Sequence, residues 1–173
     1  MREEKIAVLA GAYSLAMILG ALFFQYVMLV LPCEMCHWQR WPHDGAIVAG
    51  LGGAVLFASR IIDRDTVKLF AWAALLLILA TALIGGWQAL IEWHLVPGPQ
   101  SCTGPRFVLT AHMDFNAPVV ACDRPSWRLF GLSLAGYNFL ISGSVAVTGA
   151  LLLLHKITLP KLPVAALDRW IRA

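Results

Sequence analysis

Four long, nearly charge-free stretches dictate what this chain can fold into. They run over about 6–31, 45–62, 69–91 and 132–155. Each is close to the ~20 residues that carry a helix across the hydrocarbon of a bilayer. The whole chain of 173 residues is 60% hydrophobic and 13% charged, where soluble domains carry about 25% charge. These observations predict an all-α fold, a four-transmembrane-helix bundle forming a single integral membrane domain over 1–173. Two outer loops, 32–44 and 92–131, complete it, with no length left for a separate soluble domain.

The basic residues set the orientation. Arg2 and Lys5 precede the first stretch; Arg60, Arg64 and Lys68 lie between the second and third; Lys156, Lys161, Arg169 and Arg172 follow the fourth. Only Arg40, Arg106, Arg124 and Arg128 fall on the other side. The positive-inside rule then puts both termini in the cytoplasm and the two loops outside. The first stretch exceeds the apolar core of a signal peptide and is followed by no small-residue cleavage site, so it is expected to stay as a helix. The net charge of +3, with no basic run interleaved with aromatics, gives no sign of a nucleic-acid partner. Glycines at 45, 50, 52 and 53 suit close helix packing; no Lys-Ser or Lys-Thr follows them, which argues against a phosphate loop.

All four cysteines fall in the two outer loops. Cys33 and Cys36 follow Pro32 at a spacing of three, and Arg40 comes four residues later. If a helix begins near Pro32, both thiols share one face with Arg40 a turn further on. The amides of a helix start and a nearby cation both favour a thiolate, the reactive form of cysteine. A short Cys-x-x-Cys ring suits exchange better than bracing. Cys102 and Cys122 stand in the one long polar stretch, rich in proline and glycine, where loops of this length are commonly functional.

Blander readings compete. Cys102 and Cys122 could complete a zinc site, but there is no second Cys-x-x-Cys, and no metal is expected. Arg40 alone could be a snorkelling interfacial arginine. His37, His43, His94 and His112 read as interfacial polar anchors. Trp38, Trp41, Trp87, Trp93 and Trp127 read as an aromatic belt. Phe107, Val108, Ala111 and Phe115 have roughly helical spacing, consistent with either a surface-lying amphipathic segment or an irregular loop. The basic tail 156–173, with Leu167, Trp170 and Ile171, is either a lipid-surface helix or unstructured.

The run Pro32-Cys33-Glu34-Met35-Cys36-His37-Trp38-Gln39-Arg40 resembles the Pro-Cys-x-x-Cys-x-x-Gln-Arg signature of the DsbB disulfide-bond formation proteins. The approach Pro97-Gly98-Pro99-Gln100-Ser101-Cys102 is similar to that family's second loop, as is the passage from Cys122-Asp123-Arg124-Pro125 to Phe130-Gly131-Leu132-Ser133. The resemblance implies a bacterial inner-membrane protein with periplasmic cysteine loops. It implies a protein-dithiol:quinone oxidoreductase that reoxidises a DsbA-like periplasmic thiol oxidase and passes electrons to a membrane quinone, ubiquinone or menaquinone. Cys102 is then the cysteine attacked by the reduced partner, and Cys122 its disulfide partner, which engages Cys33. Cys36 is the thiolate beside the quinone, and Arg40 stabilises both. Some members carry a histidine before the third cysteine; His94 is near but offset. Adjacency within each loop favours Cys33–Cys36 and Cys102–Cys122 as the resting bonds. The competing reading is a non-catalytic membrane protein whose disulfides staple its outer loops and which only binds a partner.

Overall fold

The computed structural model describes residues 2–103 and 120–154. The segment 107–115, read as either amphipathic or irregular, lies outside the described residues with His112, as do His155 and the basic tail. Among the described residues five helices build a four-membered bundle. Helix α1 runs Arg2–Tyr26, α2 Glu34–Ile47, α3 Gly53–Ala58, α4 Arg64–Glu92 and α5 Leu134–Leu153. A π-helical turn, Val48–Gly52, joins α2 to α3. Three of the helices (Glu3–Tyr26, Arg64–Glu92 and Leu134–Leu153) are long and apolar enough to cross a membrane. The broken run from α2 to α3 packs beside them as the fourth member of the bundle.

Apolar sequence alone did not locate the helix ends. The first apolar stretch continues to Leu31, but α1 stops at Tyr26. Leu29 takes a left-handed backbone, φ 56°, and the amides of Val27 and Val30 fall back on the carbonyls of Phe23 and Phe24. Pro32 then disfavours helix in the residue before it. Residues 34–44, placed in an outer loop with a helix able to begin near Pro32, are helical throughout. Cys33 caps α2, its sulfur accepting from the Cys36 amide at 3.3 Å, and the helix passes through Pro42. That proline lacks the amide that would bond one turn back, and the π turn follows within two turns. The π turn crosses α1 where Gly50 meets Gly11. A Cβ on Gly50 would lie 2.5 Å from the Ala7 carbonyl oxygen and 2.7 Å from the Gly11 nitrogen. Only glycine permits that approach, the usual device of closely packed membrane helices.

At the opposite end of α3, Arg60 turns the chain with φ 59°. Asp63 caps α4 by accepting from the Thr66 amide at 2.9 Å, and Arg64 pairs with Glu3 at 3.6 Å. Helix α4 is central, packing on α1, α2 and α5. Its buried side repeats at helical spacing through Val67, Ala71, Ala74, Ile78, Gly85 and Ala89. Val67, Ala71, Ala74 and Ile78 join Ala7, Ala10, Ala46 and Ala146 in a core rich in alanine, completed by Ile6, Leu75, Leu152 and Leu153, while Leu9, Leu19, Leu69, Leu76 and Leu83 point outward. Small residues where helices meet let their backbones approach closely, as expected when lipid is the solvent.

Before α5 the chain makes a small hairpin, an addition to the all-helical expectation. Strands β1, Arg128–Leu129, and β2, Leu132–Ser133, pair antiparallel. Phe130 and Gly131 between them have φ 49° and 81°, the double positive φ of a type I′ turn. Ser133 then caps α5 through the Gly136 amide at 3.1 Å.

Candidate active site

The four cysteines meet at one end of the bundle. Cys33 and Cys122 are both buried, in a cluster with Met35 and Ile91 against which Cys36, Cys102 and Val120 pack. Cys102 and Cys122 form a disulfide, reinforced by the Cys122 amide donating to the Cys102 carbonyl at 2.8 Å. Within that bond exposure is unequal: Cys122 is 1% exposed, whereas Cys102 is half-buried. Cys33 and Cys36, expected as a resting disulfide, are instead unbonded thiols, with sulfurs 2.7 Å apart.

That pair divides its proton unequally. The hydrogen bond with Cys33 is the main cause holding the Cys36 thiol below its ordinary pKa, with the Cys33 backbone, Gln88 and the Arg40 charge adding to it. The same bond, together with burial, pushes Cys33 up. The thiolate therefore sits on Cys36. Both sulfurs stand at the start of α2, ahead of its apolar continuation.

Beside them opens a cavity of about 290 Å³. Its walls are mostly apolar: Met17, Ala21 and Phe24 of α1, Leu31, Val120 and Leu134. Trp127 closes one side, its ring 5.1 Å from Phe24 and 6.3 Å from Tyr137. Polar groups enter from α2 and α4. Cys36, Gln39, Arg40 and His43 recur along one face of α2, and Gln88 and Glu92 face them from α4. Arg40 is anchored at the rim, donating to Gln25 Oε1 at 2.7 Å.

A hydrogen-bonded chain runs from the sulfurs into the bundle. Gln88 Nε2 donates to Cys33 Sγ at 3.4 Å and to Glu92 Oε1 at 3.2 Å. Its Oε1 accepts from Gln39 at 2.6 Å. Gln39 in turn accepts from Asn138 at 2.7 Å. Asn138 also holds Thr81 (2.9 Å), Ser142 (2.6 Å) and His43 (3.3 Å). The other His43 nitrogen meets Ser14 at 3.2 Å.

Cys33, Cys36, Cys102, Cys122 and Arg40, singled out from the sequence, are thus brought to one place. His94 and His37 are not: both are exposed, and neither lines the cavity. His43, read as an interfacial anchor, is buried at 3% exposure. Gln39, Gln88, Glu92 and Asn138 were assigned no role. The signal was there, since a polar side chain inside an apolar span is costly and commonly functional.

A dithiol, a disulfide and an apolar cavity in contact at one end of a membrane bundle are the parts of a thiol–disulfide relay. The family described as "Disulfide bond formation protein DsbB" matches residues 3–152. The chain belongs to the DsbB family. Curated relatives named "Disulfide bond formation protein B" include that of Mannheimia succiniciproducens, 26% identical over 83% of this chain and 82% of its own length. That of Actinobacillus pleuropneumoniae is 29% identical over 79% of this chain and 78% of its own. That of Aeromonas salmonicida is 31% identical over 73% of each. No solved structure matches. Membership makes this a helical membrane protein of disulfide formation, an oxidoreductase acting on disulfides.

Proposed function

We propose that this chain reoxidises a DsbA-like periplasmic dithiol oxidase and passes the electron pair through its two cysteine pairs to a membrane quinone. The observation that carries the reading is the packing of Cys33 and Cys122 into one buried cluster. A thiolate exchanges only with a sulfur it can reach, and here the two pairs are neighbours. The reduced partner attacks Cys102, the more accessible half of its disulfide. Cys122 is released as a thiolate inside the cluster. When the first pair is in its oxidised, disulfide form, Cys122 attacks Cys33, the Cys33–Cys36 bond breaks, and Cys36 leaves as the thiolate that carries the electron pair onward.

The cavity fits a quinone: apolar walls for the ring, and polar groups at the edge for its oxygens. Cys36, Arg40 and Gln39 would hold it. When bound it supplies a two-electron sink. Arg40 donates hydrogen bonds to oxygen that gains negative charge and favours the Cys36 thiolate. In this reading the molecule is a multi-pass protein of the bacterial inner membrane. Both termini are cytoplasmic, and the cysteine ends of the helices face the periplasm. The loop-stapling alternative has less support, because a staple needs no two cysteines three apart with a cation one turn on.

The test is anaerobic mixing of reduced DsbA-like partner with the purified protein and either ubiquinone or menaquinone. Oxidation of partner matched one-for-one by quinone reduction is expected. Partner oxidation without quinone reduction would remove the acceptor from the scheme.

A further inference from the structure

We infer that Glu92 is the general base that takes the Cys33 proton when Cys33 closes onto Cys36. The inference rests on the relay proposed above and adds a step to it. Closing the pair requires the Cys33 S–H bond to break, and Cys33 is the sulfur that holds its proton more tightly. Its surroundings offer few acceptors. The ionisable groups sharing the cavity are Cys33, Cys36, Arg40, His43, Glu92, Arg124 and Tyr137. The arginines do not give up or gain protons in this range. Tyr137 donates to the Leu129 carbonyl at 3.0 Å. His43 is committed at both ring nitrogens to Ser14 and Asn138.

Glu92 is the only carboxylate among the described residues that line the cavity, and it is 5% exposed. Burying a carboxylate there is costly unless it is paired or used. Ser133 hydrogen-bonds the Glu92 carboxylate and the Arg128 charge acts on it, with Arg128 Nη2 reaching the Glu92 backbone carbonyl at 3.5 Å. Gln88 Nε2 binds the Glu92 carboxylate at 3.2 Å and Cys33 Sγ at 3.4 Å, and so links it to the thiol. One amide nitrogen thus spans the interval between base and thiol. An amide is too weak an acid to carry the proton, so Gln88 is a positioning residue. In the proposed step one water taken into the adjoining cavity relays the proton from thiol to carboxylate, a route open to general-base catalysis.

The step balances. The Cys33 S–H bond breaks and its proton goes to the Glu92 carboxylate. The freed thiolate attacks the Cys36 sulfur and the S–S bond forms. The electron pair leaves Cys36 with its acceptor, a quinone in the proposed turnover or a small thiolate in the test below. Glu92 later returns its proton to the reduced acceptor or to the medium.

The test needs neither quinone nor partner protein. Full-length protein, reduced and freed of quinone, is mixed with oxidised glutathione, quenched with acid, and mapped by mass. Glutathione adds to Cys36 first, and Cys33 then displaces it. In E92Q the adduct on Cys36 is expected to accumulate and to resolve about a hundredfold more slowly at neutral pH, within the range of a lost general base. The deficit should shrink as pH rises and hydroxide takes over. E92D should resolve within a few-fold of the parent. E92A should regain rate in proportion to added formate, which a merely structural role does not permit and which keeps the test valid should one variant fold poorly. Resolution in E92Q at the parental rate overturns the inference, as does a slow E92A with no response to formate. Quinone reduction by the unsubstituted protein is measured alongside. Its absence would overturn the quinone relay while leaving the glutathione result to judge Glu92.

Discussion

Arg40 Nη1, near the start of α2, donates a 2.7 Å hydrogen bond to Gln25 Oε1 in the last turn of α1. The guanidinium is therefore fixed over the cavity by a second helix instead of trailing toward the interface. A hydrogen bond to a charged group contributes about 1.5–3 kcal/mol when buried, less at this half-exposed rim. Gln25→Leu is expected to raise the apparent KM for quinone roughly three- to tenfold through lost positioning. Steady-state kinetics with varied quinone would show it; an unchanged KM would mean the bond positions nothing.

Removing the guanidinium itself should be more severe. Arg40→Ala is expected to raise the KM for quinone more than that for the partner, and to weaken any visible charge-transfer band between the Cys36 thiolate and the quinone. Arg40→Lys keeps the charge but loses the planar fork that meets Gln25 and an acceptor oxygen together, so it should substitute poorly. Impaired partner oxidation with normal quinone kinetics would return Arg40 to a snorkelling role.

The unequal division of the proton between Cys33 and Cys36 gives a pH dependence of known sign. Cys36 is lowered, so its thiolate persists at pH values where an ordinary cysteine, near ~8.5, is protonated. Cys33 is raised and stays a thiol throughout. In the reduced protein, iodoacetamide should modify Cys36 with a half-maximal rate below that ordinary value, and Cys33 hardly at all. Since the Cys33 bond is the main cause, Cys33→Ala should move the Cys36 profile upward. A profile that stays put would assign the effect to Arg40 or Gln88.

The pairing of chemistry with place was legible in the sequence; the polar wiring was not. Three-residue spacing after Pro32, with Arg40 one turn on, anticipated a helix starting beside the cysteines and the cation near Cys36. Hydropathy averaged over a window missed the end of α1, because Leu29 is apolar whether helical or left-handed. It missed the helix over 34–44 for the opposite reason: that segment is polar, and its burial comes from α4 and not from its own composition. Gln88 and Asn138 sit alone in apolar runs, and only the packing of α2 and α5 on α4 reveals that they share Gln39. The Phe130-Gly131 turn carries a phenylalanine where hairpin signals lead one to expect asparagine or aspartate.

Unequal exposure of the second disulfide predicts which sulfur the partner meets. Cys102 is half-buried and Cys122 almost wholly enclosed against Cys33. Cys122→Ser should leave Cys102 free and trap a mixed disulfide with the active-site cysteine of a DsbA-like partner. Cys102→Ser should trap far less, because Cys122 is shielded. Peptide mapping of the trapped species decides it. A bond to Cys33 or Cys36 in the Cys122→Ser protein would reverse the roles of the two pairs.

Asn138 offers a test of the wiring whose first readout, stability, involves no redox chemistry. Its amide donates to Gln39 Oε1 at 2.7 Å and to Thr81 Oγ1 at 2.9 Å, and its oxygen accepts from Ser142 at 2.6 Å. Leucine at this position is apolar and similar in volume, yet it would orphan groups on α2, α4 and α5 at once. An unpaired buried polar group costs about 1–3 kcal/mol in water-soluble proteins. Single interhelical bonds in bilayers are worth less, about 0.6 and at most ~1.7 kcal/mol. Several lost together should lower stability by roughly 2 kcal/mol, read as a reduced midpoint of unfolding in detergent. Because Gln39 also holds Gln88, the damage should reach the sulfurs: Asn138→Leu is expected to slow resolution of the Cys36–glutathione adduct. Normal stability with normal resolution would show that the chain from Asn138 to the cysteines transmits nothing.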